Sequence, residues 1–235
     1  MSPMKRGYAV SDLHLFAYRS AADSHLPMVR QAASEADFMV LNGDIFDFRW
    51  ARFPTSEHAM DAAVEWLRAL ARDHPECRFF YIMGNHDALA PMAARLDALA
   101  GEQPNLDWHP SHFRINDALF LHGDIPLERK GLSPFERNLV HEERNWGRFA
   151  EKAYHVAIHC RMHRLVSLVH WPTRCARRIL HSLYEHGRDL VEGITDVYFG
   201  HTHAPFSDFH YRGVRFHNSG AAVRGTQPVV LPVRI

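Results

Sequence analysis

Five short stretches of this chain carry side chains able to hold cations. They are Asp12 and His14 in Asp-Leu-His, Asp44 and Asp47 in Gly-Asp-Ile-Phe-Asp, Asn85, His86 and Asp87 in Gly-Asn-His-Asp, His122 and Asp124 in His-Gly-Asp, and His201 and His203 in Gly-His-Thr-His. Carboxylate, amide and imidazole donors in this mixture suit hard to borderline divalent ions such as Mn²⁺, Fe²⁺ and Zn²⁺. Histidine is the compositional anomaly of the chain, 19 of 235 residues, so position must decide which imidazoles matter.

Each stretch follows a short apolar run. Tyr8 to Val10, Phe38 to Leu41, Phe79 to Met83, Leu119 to Leu121 and Val197 to Phe199 all end in polar or glycine-containing loops, the pattern of buried strands followed by turns. Between the first runs lie stretches with helical spacing, such as Ala59, Ala63, Trp66, Leu67 and Leu70, and strands alternating with helices predict a layered α/β sheet. Ligands of such sheets bind at the carboxyl ends of the strands, so distant motifs can meet there. In extended backbone the donors of Asp-Leu-His and His-Thr-His would face the same way. Two hairpins are predicted over 112–121 and 206–216, around Asn116-Asp117 and Arg212-Gly213.

Composition bounds the alternatives. At 46% hydrophobic and 23% charged the chain can bury a full core, which excludes a disordered polypeptide or a collagen-like fibre. The 27 basic residues balance the 27 acidic ones, so the molecule is not built to coat nucleic acid, and no specific nucleic acid binding is expected. Cys77, Cys160 and Cys175 are too few for a disulfide framework and fit reduced thiols in a cytoplasmic protein. No run of 18 apolar residues and no signal-peptide pattern occurs.

Residues 129–190 break the strand rhythm. Ser133-Pro134-Phe135-Glu136 reads as a capped helix start, and Ile179, Leu180, Leu183, Tyr184, Leu190 and Val191 fall on one helical face. From Arg129 to Arg188 twelve Lys or Arg stand against five acids, a surplus of seven that the rest of the chain cancels. A basic helical cap inserted within one domain, 1–235, is expected over an acidic body. Its arginines either face solvent, contact an anionic substrate, or seat the protein peripherally on an anionic membrane. His155, His159 and His163 share a helical face there at spacing i, i+4, i+8, and a solvated polar face is the favoured reading.

Taken in order, these motifs resemble the calcineurin-like metallophosphoesterases. The resemblance spans Asp12 to His203 and implies an α/β fold, a layered β-sandwich flanked by helices. It implies that Asp12, His14 and His203 hold one ion, that Asn85, His122 and His201 hold a second, and that Asp44 bridges them. Two divalent ions, with Mn²⁺ the family expectation and Fe or Zn also accepted, would hold a hydroxide that attacks phosphorus in line. His86, oriented by Asp47, would stabilise the transition state or protonate the leaving oxygen. The layout is similar to the UDP-2,3-diacylglucosamine pyrophosphatases, whose cap holds acyl chains. That subgroup has arginine where this chain has His86 and glutamate where it has Asp47, so the lipid-linked substrate stands beside a soluble nucleotide, nucleic acid or phosphoprotein ester. A scaffold that kept the fold without catalysis typically lacks a ligand, and here every position is filled.

Several neighbouring residues keep two readings. Arg19 and Arg49 follow the first two motifs and either clamp a substrate phosphate or sit on the surface. Asp87 and Asp124 either support a ligand or bind loop amides. His217, Asn218 and Ser219 either line the site or make ordinary strand-end turns.

Overall fold

The computed structural model describes residues 6–124, 172–186, 188–223 and 225–235. Among these residues, ten strands form two five-stranded sheets with helices on the outer faces, the layered architecture expected from the strand and helix rhythm. In the first sheet, β1 (Gly7–Val10), β2 (Phe38–Asn42), β3 (Arg78–Ile82) and β4 (Leu106–His109) run parallel, and β10 (Leu231–Val233) pairs antiparallel with β1. The second sheet has the order β5 (His112–Ile115), β6 (Ala118–Leu121), β7 (Asp196–Phe199), β9 (Val214–Asn218), β8 (Phe206–Tyr211). Within it β6, β7 and β9 are mutually parallel, so their ends, like those of β1 to β3, deliver loops to a common edge.

Strand β2 shows why the layers form. All five of its residues are buried. Phe38 and Val40 pack toward the second sheet with Ile82, Phe120 and Tyr198, while Met39 and Leu41 pack toward the helices with Leu67, Leu70 and Leu96, as period-two alternation requires of a strand covered on both faces. The helical layer comprises α1 (Leu26–Glu35), α2 (Ser56–Asp73) and α3 (Ala90–Glu102). Helix α2 buries Ala59, Ala63, Leu67 and Leu70, and Thr55 Oγ1 caps it by accepting from the His58 amide at 3.3 Å. Both expected hairpins are present. Arg212 and Gly213, at φ 50° and 84°, make the β8–β9 turn with the positive dihedrals that a tight two-residue loop demands.

The interface between the sheets is aromatic. Phe80 stacks on Phe113 with centroids 4.1 Å apart, and Phe120 stacks on Tyr198 at 5.0 Å. Phe120 is wholly buried. Phe120→Ala is therefore expected to destabilise the protein by about 3–5 kcal/mol, measured by urea unfolding, and a loss below about 1 kcal/mol would show that this layer collapses without it.

Helix α4 (Pro172–His186) covers the second sheet. Cys175, Ala176, Ile179, Leu180 and Leu183 pack there against Leu119, Val197, Phe199 and Phe216. Tyr184, expected on this apolar face, is instead 49% exposed, at the edge of the stripe that Ala176, Ile179, Leu180 and Leu183 bury. Leu190 and Val191 reach the same cluster from a separate short helix, α5 (Arg188–Val191). Arg114 satisfies the carbonyls at the end of α5, donating to Asp189 and Leu190 at 3.3 Å and to Glu192 at 2.7 Å. The remainder of the expected cap, including Ser133 to Glu136 and His155, His159 and His163, lies outside the described residues. Among the described residues, no helix is long and apolar enough to cross a membrane.

Candidate metal centre

The loops after β1, β2, β3, β6 and β7 bring all seven expected ligands to one edge of the paired sheets. Backbone bonds lace these loops together: the Asp12 amide donates to Gly43 O at 3.0 Å, the His14 amide to Asp44 O at 2.9 Å, and the Gly200 amide to His122 O at 2.9 Å. Two glycines permit the approach. A Cβ on Gly84 would stand 2.1 Å from Asp44 Oδ1, and one on Gly200 would stand 2.2 Å from Asp12 Oδ2.

The loop conformation differs from the extended backbone expected for Asp-Leu-His and His-Thr-His. Asp12, His14, Asp44, His201 and His203 adopt left-handed φ values of 52°, 47°, 50°, 65° and 58°. Their convergence comes from these dihedrals past the strand ends and not from strand alternation. Each such residue costs about 1 kcal/mol or more, which the cross-loop bonds and surrounding packing offset, and strain of this kind concentrates where side-chain aim matters.

The donors fall into two adjoining groups. His14 Nε2 is 3.2 Å from His203 Nε2, and Asp12 Oδ1 is 3.3 Å from His203 Nε2 and 3.8 Å from His14 Nε2. On the other side, His122 Nε2 lies 3.2 Å from Asn85 Oδ1 and 3.2 Å from Asp44 Oδ2, and His201 Nδ1 lies 3.1 Å from Asn85 Oδ1. Asp44 reaches both groups: it clusters with Asp12 and His122, and also with His14 and His86, ligand atoms lying within 4.8 Å of one another in each set.

These residues fit divalent ions. Donor separations near 3.2 Å are those of neighbouring ligands around one ion with bonds of about 2.1 Å. The facing Nε2 atoms of His14 and His203 can share at most one proton, which leaves a lone pair that a cation would satisfy. His122 Nδ1 donates to Asn42 O at 3.4 Å, which directs Nε2 into the cluster.

Titration follows the same logic. Burial, then the Arg19 charge, pushes His14 down to about 4, and burial with the His122 charge does the same to His201, so both imidazoles are neutral ligands at neutral pH. Burial works against the Asp12 carboxylate, yet the His203 hydrogen bond and the His122 charge bring it down to about 2. Burial likewise opposes Asp44, which the charges of His122 and His86 hold well below the usual carboxylate range. Burial lowers His122 but Asp44 outweighs it, raising the imidazole to about 10; without ions, a proton there answers the Asp44 charge.

Beside the donors stands His86, whose Nδ1 donates to Asp47 Oδ1 at 3.0 Å and whose side chain is 14% exposed. Burial opposes protonation of His86, but Asp47 and Asp44 raise it overall. Asp47 is fully buried, and burial is overcome by His86 and His14, which hold it far below its ordinary range. Arg19, read as either a phosphate clamp or a surface residue, directs Nη2 to Asp47 Oδ2 at 3.3 Å. Arg49 is exposed on the loop two residues past Asp47.

Asp87 proves to be the knot between two loops. Its Oδ2 accepts from the Ile45 amide at 3.1 Å, the Phe46 amide at 3.4 Å and Tyr81 Oη at 2.7 Å, and its Oδ1 accepts from the Gly84 amide at 2.6 Å. The loop-amide reading thus describes it, and by that route it fixes Asp44 and His86 as well. Asp124 is half-buried, near enough for its charge to favour protonation of His122. Asn218 and Ser219 support the loops from beneath: Asn218 Nδ2 donates to Gly200 O at 2.8 Å and Ser219 Oγ accepts from the Ser11 amide at 2.9 Å, whereas His217 turns away, its Nε2 meeting Asp196 at the start of β7 at 2.9 Å. Two supports lay outside the sequence reading, Ser11 and Asn42. Asn42 Nδ2 donates to Tyr198 O at 3.0 Å and so joins the sheets just below the site; a polar residue ending an apolar run was the only local signal.

The family model for calcineurin-like phosphoesterases matches residues 6–205, a span that encloses every donor. Among solved structures the chain is similar to a dimetal phosphatase from Danio rerio at 12% identity and TM-score 0.46, over 94% of this chain and 89% of that one. No curated protein sequence matches.

Proposed function

This chain belongs to the calcineurin-like phosphoesterase family and is a metal-dependent phosphoesterase, and from that premise we propose that it hydrolyses phosphoester or phosphoanhydride bonds with His86 as the acid for the departing oxygen. The observation that carries this reading is the meeting of seven donors from both sheets beside a histidine anchored on a buried carboxylate. Asp12, His14 and His203 would hold one ion, Asn85, His122 and His201 the other, with Asp44 between them. Bound there, divalent ions acidify water and neutralise a phosphoryl group. Mn²⁺ is our assignment, and the mixed nitrogen and oxygen donors also accept Fe or Zn.

The chain's own groups do the rest. Asp47 accepts a hydrogen bond from His86 Nδ1, which fixes the ring and leaves Nε2 to present a proton to the leaving oxygen. The Asp47 and Asp44 charges raise the affinity of His86 for that proton against the effect of burial. Burial of Asp12, His14 and Asp44 keeps bulk water from competing with substrate oxygens.

For the substrate, the paired His86 and Asp47 favour an ester whose leaving group needs protonation, carried by a soluble phosphorylated molecule. A second reading, a UDP-diacylglucosamine-like lipid pyrophosphate met at an anionic membrane, is favoured by the outer face of α4, where Arg174, Arg177, His181 and Tyr184 are exposed. A hydrolysis panel separates them: aryl phosphate mono- and diesters beside a nucleotide-linked glycolipid, with Mn²⁺, Fe²⁺ and Zn²⁺ varied. Turnover of an aryl ester with Mn²⁺ is expected. Wild-type protein carrying two ions yet inert toward every member of the panel would overturn the reading.

A further inference from the structure

We propose that Arg19 is a positioning residue that couples the ion ligand His14 to the acid His86 through a single carboxylate, Asp47. The inference deepens the phosphoesterase reading and rests on it.

Asp47 divides its two oxygens between the two histidines. Oδ1 accepts from His86 Nδ1 at 3.0 Å and from the Trp50 amide at 3.0 Å. Oδ2 lies 3.3 Å from His14 Nδ1 and 3.3 Å from Arg19 Nη2. His14 turns Nε2 toward Asp12 and His203, so its proton sits on Nδ1 and goes to Asp47. Arg19 Nη2, also 3.3 Å from His14 Nδ1, can only donate, and its hydrogen therefore goes to Oδ2 as well. The two imidazoles stand edge to face, 5.0 Å apart at 88°, with the carboxylate joining them from behind.

This arrangement makes the plane of one carboxylate decide the aim of two rings. The terminal torsion of aspartate is broad and intrinsically soft, so its hydrogen-bond partners set it. The Trp50 amide holds Oδ1, and Arg19 holds Oδ2. Asp47 is fully buried and the Arg19 side chain is only 11% exposed, so water cannot readily replace the guanidinium there. Removing Arg19 would leave Oδ2 held by His14 Nδ1 alone, itself a ring that can turn, and so would loosen both the ligand His14 and the acid His86 together. A phosphate clamp at Arg19 would instead be felt in substrate affinity alone.

The test uses the full chain and two variants, Arg19→Gln and Arg19→Lys, the second keeping the charge as a guard against a glutamine variant that does not fold. Calorimetric titration of metal-free protein with Mn²⁺ reads the His14 arm, and kcat for p-nitrophenyl and phenyl phosphate esters reads the His86 arm, since only the phenyl ester needs its leaving oxygen protonated. For Arg19→Gln we expect Mn²⁺ affinity to fall about tenfold and kcat to fall about tenfold more on the phenyl ester than on the p-nitrophenyl ester, with KM nearly unchanged and Arg19→Lys recovering much of both. A raised KM on both esters with unchanged Mn²⁺ affinity and leaving-group preference would overturn the inference in favour of a clamp, and unchanged values throughout would also overturn it. Wild-type protein that binds Mn²⁺ but turns over neither ester would sink the phosphoesterase reading instead, while the calorimetry would still report on Arg19.

Discussion

Asp44→Asn is expected to lower kcat/KM for an aryl phosphate ester by about a thousandfold or more, equivalent to ~4 kcal/mol of lost transition-state stabilisation. The substitution keeps the shape of the side chain and an oxygen able to accept the His86 amide, which donates to Asp44 Oδ1 at 2.8 Å. It removes the negative charge that two donor groups share. It also removes the main reason for His122 to hold a proton in the ion-free chain, since Asp44 raises that imidazole against the effect of burial. Two measurements check this: steady-state kinetics with Mn²⁺, and the number of ions bound at saturation, which should drop. Activity within about tenfold of wild type would show that Asp44 does not hold the centre together.

His86→Ala is expected to cost about 10²- to 10³-fold on an ester with a poor leaving group and much less on p-nitrophenyl phosphate, whose leaving oxygen departs unprotonated. The pH dependence carries a sign. An acid works only while protonated, and Asp47 and Asp44 raise His86 above its ordinary value despite burial. Wild-type kcat on the poor ester should therefore fall as pH rises through a point above about 6.5, and His86→Ala should lack that fall. Asp47→Asn should move the fall toward lower pH, because the carboxylate that favours the imidazolium is gone. A basic limb that survives in His86→Ala would assign the acid to another group.

Much of the site was legible in the sequence, and the reason is physical. Short apolar runs such as Phe38 to Leu41, bounded by turn residues, read as buried strands, which puts the polar residues that follow them, Asp44 and Asn85 among them, just past strand ends. Parallel strands then deliver those ends to one edge. What stayed hidden depends on long-range pairing or on dihedrals. Strand β4 is only four residues long, Leu106-Asp107-Trp108-His109, too short for its alternation to stand out, and it is positioned by pairing with β3. Strand β10 is three residues long with Pro232 at its middle, and lies at the sheet edge where a missing amide is tolerated. The left-handed backbone of Asp12 and His14 has no signature in residue type. Arg19 keeps two readings in the sequence, an anion clamp or a surface residue, because nothing local reveals that Asp47, 28 residues away, stands opposite.

The seam between the sheets has an implication for how the protein keeps its shape. Asp12, His14, Asp44 and Asn85 hang from the first sheet, whereas His122, His201 and His203 hang from the second. Each proposed ion would thus draw on both halves, as a rivet does through two plates. Filling the rivet holes and clamping the plates would be one thermodynamic event: the free energy that retains the cations is the same free energy that resists prising the sandwich open.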